Sequence, residues 1–291
     1  MTGRLAGRNA IVTGASRGLG AAIALALAAE GGRVAAVART EQAWSDRLPG
    51  TIHDTARRIR DSGGTAVAVP ADLSVEPDVE RVVAEAARAL GPISILINNA
   101  ALTVPGRPPK PGGTGGAGGR GPAPNRAAAP GFAGFPVSGY RRHLEIGLLA
   151  PLRLMQLVIP QMIAGGGGSV VNVSSDAAFR PGQGPYPHPG PAVNLAYGGT
   201  KAALQHLTMS VACEVAASAV AVNALLPSRP IATPGLLALG SEFGPAGSAE
   251  DFAEAAVRLC LVGPADGTGQ IVYHEDVLHP DRPPRGWAGS V

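Results

Sequence analysis

The sequence has few cysteines, few charges and few aromatic residues. Its 291 residues include only two cysteines, Cys213 and Cys260, whose separation matches neither a CxxC motif nor a metal-ligand spacing. Charged residues make up 15% of the chain, aromatic residues 4% and hydrophobic residues 45%, a balance typical of a folded core. No unbroken apolar run reaches the ~20 residues of a membrane span, and MTGRLAGRNA contains no apolar signal core. These absences predict a cytoplasmic protein with reduced thiols, no bound metal and no membrane partner.

Acidic residues are missing from one whole segment. Val104–Leu144 contains six bases and no Asp or Glu, and without it 18 bases face 21 acids, so the net charge of +3 belongs to this segment. Within it, Pro105–Pro136 holds ten glycines and eight prolines in 32 residues, too little apolar surface to offset the entropy of ordering. A nucleic-acid surface would interleave bases with aromatics on a folded face, whereas only Phe132 and Phe135 occur here. We predict a mobile insert at 104–137 and no nucleic-acid partner.

Outside this insert, short apolar runs alternate with stretches of helical character. The runs are NAIVT (9–13), RVAAVA (33–38), AVAVP (66–70), ISILIN (93–98), SVVNVS (169–174), VAVNALL (220–226) and QIVY (270–273). They are apolar throughout rather than alternating, which is typical of strands covered on both faces. The pattern predicts an α/β fold: one domain (1–291) built on a doubly wound parallel sheet of about seven strands.

The stretch TGASRGLG (13–20) places three glycines between the first apolar run and an Ala/Leu-rich stretch. Glycine is costly inside a helix or strand, so this clustering indicates a turn that needs a bare backbone. A strand, a glycine-rich turn and a helix from about Gly18 form the arrangement that binds a nucleotide pyrophosphate through free N–H groups and the helix dipole. The first turn of the sheet is therefore a predicted nucleotide site.

Further motifs follow this turn in a set order. They are ADL (71–73), NNAA (98–101), SS (174–175), YGGTK (197–201) and VNALLPS (222–228). Together with TGASRGLG they resemble the short-chain dehydrogenase/reductase family, in a bacterial form with a Gly/Pro-rich insert, over roughly residues 5 to 273. The resemblance implies a Rossmann-type sheet and hydride transfer between a nicotinamide and a carbonyl or alcohol.

The resemblance implies that Ser175, Tyr197 and Lys201 are catalytic. Tyr197 and Lys201 are four residues apart, so on a helix they project from one face. We expect the lysine ammonium to lower the pKa of the phenol from its usual ~10. In the family the tyrosine exchanges a proton with the substrate oxygen, the lysine also binds the nicotinamide ribose, and the serine would bond the carbonyl.

The cofactor positions carry over residue by residue. Asp72 and Leu73 would meet the adenine, Asn99 and Ala100 would lie along the adenosine, and Thr233 resembles the threonine that bonds the carboxamide. The residues predicted to bind NADP(H) are Gly14, Ser16, Arg17, Gly18, Leu19, Gly20, Arg39, Asp72, Leu73, Asn99, Ala100, Tyr197, Lys201 and Thr233.

Two arginines favour NADP(H) over NAD(H). An NAD site needs a carboxylate for the ribose 2′-hydroxyl about 20 residues past the glycine motif. Here the second strand ends in Ala38-Arg39-Thr40, and the nearest acid is Glu41. Two guanidiniums, Arg17 and Arg39, suit a 2′-phosphate instead.

The chain also departs from the family pattern. Ala101 and Ser228 stand where the family prefers glycine, and the 22-residue distance from Ser175 to Tyr197 is longer than usual. On the helix HLEIGLLAPLRL, Gly147 replaces the asparagine that helps to anchor a water linking the catalytic lysine to solvent. This indicates either drift or a use for the open space, such as substrate or an extra water. His143, one turn earlier, could contribute to a substitute relay.

Apolar residues surround the expected substrate region. A lid of Leu236, Leu237, Leu239 and Phe243 and a wall of Pro185, Tyr186 and Pro187 favour a bulky, lipophilic carbonyl or alcohol. The fold leaves two alternatives open: a non-redox enzyme of the family (dehydratase, epimerase or cyclase) or a non-enzymatic NADP-binding protein. Family members commonly pair across a two-fold axis, so a homodimer or homotetramer is expected.

Overall fold

The computed structural model describes residues 3–43, 45–46, 48–102, 132–180, 182–185, 195–237 and 245–282. The predicted insert up to residue 131 therefore lies outside the described residues. Its last six residues, 132–137, are described: they contain a 3₁₀ turn, Phe132–Gly134, and the first residue of a helix.

Seven parallel strands form one sheet in the order β3-β2-β1-β4-β5-β6-β7. They are β1 Asn9–Thr13, β2 Arg33–Ala38, β3 Thr65–Pro70, β4 Ile95–Asn98, β5 Gly168–Val173, β6 Val220–Leu226 and β7 Ile271–Tyr273. This confirms the predicted doubly wound sheet. The strand order reverses between β1 and β4, and in such sheets ligands bind beyond the carboxyl ends of the strands at that point.

Helices cover both faces of the sheet. They are α1 Gly18–Ala29, α2 Ile52–Asp61, α3 Glu76–Leu90, α4 Val137–Leu144, α5 Ala150–Ala164, α6 Leu195–Glu214, α7 Pro234–Leu237, α8 Ala249–Leu261 and α9 His274–Leu278. A π-helical turn, Glu145–Leu149, joins α4 to α5, and a 3₁₀ turn, Asp176–Ala178, follows β5. Helices α1, α2, α8 and α9 pack on one face, and α3, α5 and α6 on the other.

The strands are apolar throughout because each contributes to two cores. In β1, Ala10 and Val12 belong to the core under α1 and α8, whereas Ile11 belongs to the core under α3 and α5. Successive side chains of a strand point to opposite faces, so a sheet covered on both sides needs apolar residues at every position. The continuous runs in the sequence follow from this two-sided burial.

One helical stretch, Val137–Ala164, is long and apolar enough by length and composition to cross a membrane. Half of its apolar window is buried inside the protein. Leu154, Met155 and Val158 are fully or almost fully buried between the sheet and α3. This packing against the sheet accounts for the apolar composition of the helix.

Candidate active site

A cavity of about 270 Å³ opens beyond the carboxyl ends of the central strands. Every residue that the sequence assigns to cofactor binding lines it, from Gly14 to Thr233. Ser175 does not line the cavity, but its side chain hydrogen-bonds Tyr197, and Tyr197 does line it. The structure thus brings the predicted set together in one place. The individual roles stay predictions.

The glycines of the first turn are explained by close packing. Gly14 has φ +69° and Gly18 has φ +57°, a backbone region that favours glycine. A Cβ atom at Gly20 would lie only 2.3 Å from the Gly14 carbonyl oxygen and 2.4 Å from Nδ2 of Asn99. That Nδ2 donates to the Thr13 carbonyl at 2.8 Å. Asn99, assigned from the sequence to the adenosine side, therefore also holds the turn in shape.

Thr13 joins the tips of β1 and β4. Its hydroxyl oxygen accepts the backbone N–H groups of Asn99 at 2.9 Å and Ala100 at 3.1 Å, and it donates to the Ile97 carbonyl at 3.2 Å. These bonds fix the two strand ends that border the cavity. The glycine turn and the NNAA motif are consequently one structural unit, although 84 residues separate Thr13 from Ile97.

The N-terminus of α1 suits a bound anion. Its first turn carries no acidic residue, and its N-cap, Arg17, makes no side-chain cap bond. The first N–H groups of a helix have no partner within the helix, and its dipole attracts negative charge. The beginning of α1 therefore fits a pyrophosphate.

Arg17 and Arg39 lie at the same side of the cavity. Arg17 donates from Nε to the Pro49 carbonyl and from Nη2 to the Gly50 carbonyl, both at 3.1 Å. Burial lowers the pKa of Arg17, and the charge of Arg39 lowers it further. Arg39 lies 3.9 Å from the carboxylate of Asp72. The positive charges of the two guanidiniums repel each other. A phosphate dianion bound between them would offset this repulsion and accept hydrogen bonds from both.

Ser175 and Tyr197 form the reactive pair of the site. Ser175 is the second residue past β5 and caps the 3₁₀ turn by accepting the Ala177 N–H at 3.2 Å. Burial raises the pKa of Tyr197, the hydrogen bond with Ser175 lowers it in part, and the charge of Asp176 raises it again. The net direction is upward from 10, so the phenol is protonated at neutral pH. Protonated phenol is the form that can donate a proton to a substrate oxygen.

Lys201 is buried beneath this pair. Its Nζ donates to the Val173 carbonyl at 2.6 Å and lies 5.6 Å from the centre of the Tyr197 ring. Burial lowers the pKa of Lys201 to about 8. The prediction that Lys201 brings the pKa of Tyr197 below its usual value is wrong for this structure. Removal of the phenol from water outweighs the attraction of an ammonium at that distance.

Gly147 lies in the middle of the π-helical turn, where it contacts α6. The N–H of Ala150 bonds the Glu145 carbonyl, five residues back, as a π turn requires. A Cβ atom at position 147 would lie 2.7 Å from Cγ2 of Thr200. The expectation of open space for substrate or water at Gly147 is therefore wrong. The methyl group of Thr200 occupies it, so any side chain at position 147 requires that methyl to move.

This contact predicts a coupled effect on stability. Gly147→Ala should overpack the α6 contact at a cost of about 1–3 kcal/mol, which offsets the ~1 kcal/mol that alanine gains over glycine in a helix. In a Thr200→Ser background the methyl is absent, while the hydroxyl bond to the Ala196 carbonyl at 2.7 Å can remain. There Gly147→Ala should stabilise the protein. Urea unfolding of the four proteins of this cycle measures the coupling, and strictly additive free energies of unfolding would contradict the contact.

His143 lies beside Tyr197. The two ring centres are 6.4 Å apart with the planes at 74°, an edge-to-face arrangement. Burial lowers the pKa of His143, and the charge of Lys201 lowers it further, so the imidazole is neutral at neutral pH. Helical spacing correctly placed His143 near the site. Its part in a proton relay stays a prediction.

Several residues that line the cavity were not found from the sequence. They are Ala38, Thr40, Leu48, Ala71, Ala101, Leu102, Ile146, Val173, Ser174, Pro227 and Gly235. Four of them, Ala71, Ala101, Ser174 and Pro227, lie within the quoted motifs, and most of the others adjoin a motif or an assigned residue, so this proximity was the available signal. No such signal marks Leu48, because it lies in the loop between β2 and α2, away from every motif.

The predicted substrate region is only partly described. Leu236 and Leu237 end the short helix α7, and Leu237 is 59% exposed. Pro185 is exposed. The other predicted lid and wall residues, Leu239, Phe243, Tyr186 and Pro187, lie outside the described residues.

Comparison with known proteins gives one family. A family model described as short chain dehydrogenase matches residues 8–235. The ketoacyl reductase HetN of Nostoc sp. is 28% identical over 223 residues, 77% of this chain and 63% of that protein. The 7α-hydroxysteroid dehydrogenase of Escherichia coli is 28% identical over 280 residues, 92% of this chain and 93% of that protein. The chain thus spans less than two thirds of the first relative and almost all of the second.

Two solved structures have the same fold and different nicotinamide cofactors. A 7α-hydroxysteroid dehydrogenase complexed with NADH and 7-oxo glycochenodeoxycholic acid is 27% identical, with a TM-score of 0.68 over 93% of each chain. A metagenomic short-chain oxidoreductase in complex with NADP is 24% identical, with a TM-score of 0.67 over 93% of this chain and 98% of that one. The likeness to the second is one of fold alone.

Proposed function

Because this chain belongs to the short chain dehydrogenase family, we propose that it is an NADP(H)-dependent oxidoreductase acting on a bulky, lipophilic carbonyl or alcohol. The family and its curated relatives support a redox enzyme that uses a nicotinamide cofactor. The observation that carries the proposal is the Ser175–Tyr197 hydrogen bond beside buried Lys201, at the edge of a cavity built on a glycine turn.

The residues of the site have complementary tasks. When bound, the reduced nicotinamide would supply a hydride to the carbonyl carbon. Tyr197 holds its proton at neutral pH and gives it to the carbonyl oxygen, while Ser175 orients that oxygen. With a pKa of about 8, Lys201 is mostly charged at pH 7 and stabilises the phenolate that remains.

The surroundings of the cavity support an apolar substrate. Leu102 and Ile146 line it, and Leu236 follows the lining residue Gly235 on α7. One relative is named as a hydroxysteroid dehydrogenase and one as a ketoacyl reductase, names that are consistent with lipophilic substrates.

A panel of carbonyl compounds tests the activity and the substrate class together. We expect consumption of NADPH with hydrophobic polycyclic or long-chain ketones, at kcat/KM at least about tenfold above small hydrophilic aldehydes and sugars, because an apolar pocket gains binding energy from each buried methylene. The absorbance of the reduced nicotinamide measures the rate, and Tyr197→Phe provides the matched blank. A clear preference for small hydrophilic carbonyls would contradict the substrate class.

The same assay separates the alternatives. Product formation without net change in the cofactor would indicate a dehydratase, epimerase or cyclase, and cofactor binding without turnover would indicate a non-enzymatic protein. A cytoplasmic homodimer or homotetramer completes the proposal, and light scattering of the purified chain tests the assembly.

A further inference from the structure

A loop, residues 227–233, joins β6 to α7 and carries Thr233 at its last position. A buried histidine holds the beginning of this loop. Pro227, at the beginning of this loop, and Thr233, near its end, both line the cavity. Between them, the backbone N–H of Ser228 donates to Nδ1 of His274 at 3.0 Å, and the Ser228 hydroxyl lies 3.2 Å from the same atom. His274 is 1% exposed. The first residue of α9 is thus bonded to the residue next to the cavity lining.

The hydroxyl of Ser228 has a second partner on α9. It accepts the backbone N–H of Glu275 at 3.3 Å, at the beginning of that helix. A glycine at position 228 would lose both hydroxyl contacts and add backbone freedom to the loop. The departure from the family's preferred glycine and the histidine on α9 therefore belong together.

The hydrogen bond from the Ser228 N–H requires that Nδ1 of His274 carries no proton, so the imidazole must be neutral. A protonated Nδ1 would point a hydrogen at the N–H of Ser228, so the bond would be lost. Burial lowers the pKa of His274 from 6.5, and the charge of Arg229 also lowers it. Glu275, Asp251 and a hydrogen bond to the Leu226 carbonyl raise it, and the net direction is downward. The ring also packs against Phe252 of α8 at 5.6 Å between centres.

We propose that Ser228 and neutral His274 are positioning residues, which set the loop from Pro227 to Thr233 and thereby the affinity for the nicotinamide cofactor. The loop has further anchors: Nη2 of Arg229 pairs with the Glu275 carboxylate at 2.7 Å, the Gly247 N–H bonds the Pro230 carbonyl at 2.8 Å, and Ile231 is buried in the core. Among these anchors, the bonds of Ser228 to His274 and Glu275 come first along the chain, directly after Pro227. This inference rests on the proposed use of NADP(H).

The Kd for NADPH of the purified chain, measured at pH 7 by nicotinamide fluorescence, tests the pair. Ser228→Gly and Ser228→Ala should raise Kd about three- to tenfold, as expected for the loss of one or two hydrogen bonds, with a smaller effect on kcat. The control is Ser210→Ala, which removes an exposed serine that is 3.4 Å from a histidine on α6, remote from the loop. It should leave Kd unchanged.

Acid dependence supplies the readout that a simple loss of packing would not change. His274→Asn keeps an acceptor near Nδ1 that cannot be protonated. As the pH falls below about 6.5, the Kd of the wild type should rise more steeply than that of His274→Asn. The 2′-phosphate and His143 titrate in both proteins, so the difference between the two curves isolates His274.

The outcomes are separable. A wild type that binds NADPH while both Ser228 variants match it, or while His274→Asn has the same acid slope, would overturn this inference alone. A wild type that binds neither NADPH nor NADH would overturn the proposed function and this inference with it.

Discussion

Tyr197→Phe should lower kcat by about 10²- to 10⁴-fold, the range that a positioned general acid typically contributes. The substitution deletes only the phenolic oxygen, so the ring can keep its edge-to-face contact with His143 and cofactor binding should persist. Ser175 and Lys201 remain, but the hydroxyl of Ser175 is a much weaker acid, and Nζ of Lys201 is buried, donates to the Val173 carbonyl and lies 5.6 Å from the centre of the Tyr197 ring. Single-turnover reduction with saturating NADPH measures the chemical step directly.

The control for this prediction is His143→Ala, which removes the neighbouring ring without removing the proton donor. It should cost about tenfold or less in kcat, because its effect reaches the chemistry only through the orientation of Tyr197. Near-normal turnover in Tyr197→Phe would mean that the proton comes from another group, and the mechanism proposed here would have to be abandoned.

The rate of reduction by the wild type should also fall as the pH rises through about 8, where Lys201 loses its charge.

Arg17→Ala combined with Arg39→Ala should abolish a preference of the wild type for NADPH over NADH. We expect that preference to be about 100-fold in kcat/KM, since each hydrogen-bonded guanidinium contributes about 1.5–3 kcal/mol to binding a charged group. Each single variant should lose about tenfold or more with NADPH and change little with NADH, because the 2′-hydroxyl gains little from a cation. Steady-state kinetics with both cofactors measures the effect.

A surface arginine provides the matched control for the cofactor prediction. Arg57 is exposed on α2, is paired with Asp54 and does not line the cavity, so Arg57→Ala should leave the cofactor ratio unchanged. Arg17 also bonds the carbonyls of Pro49 and Gly50, and for that reason Arg39→Ala is the cleaner single test. Equal or better use of NADH by the wild type would contradict the assignment to NADP(H).

Local patterns were sufficient to predict the elements of this fold. Each strand lies within two residues of an apolar run identified in the sequence, because two-sided burial leaves a continuous signal in a few neighbouring residues. The glycine turn and the four-residue spacing of Tyr197 and Lys201 are equally local, and both lie where they were expected, at the cavity. The order of the motifs along the chain was enough to select the candidate site residues.

The properties that depend on distant residues needed the tertiary structure. Thr200 fills the space at Gly147, Asn99 holds the glycine turn, and His274 holds Ser228, in each case across more than 45 positions of the chain. The direction of the pKa shift at Tyr197 was predicted wrongly because a neighbouring charge can be read from spacing, whereas burial cannot. The sequence by itself determined which residues meet beyond the ends of the strands. Only the packing of the helices on the sheet decided how much water each group loses and which atoms touch, since desolvation and contact depend on the whole fold.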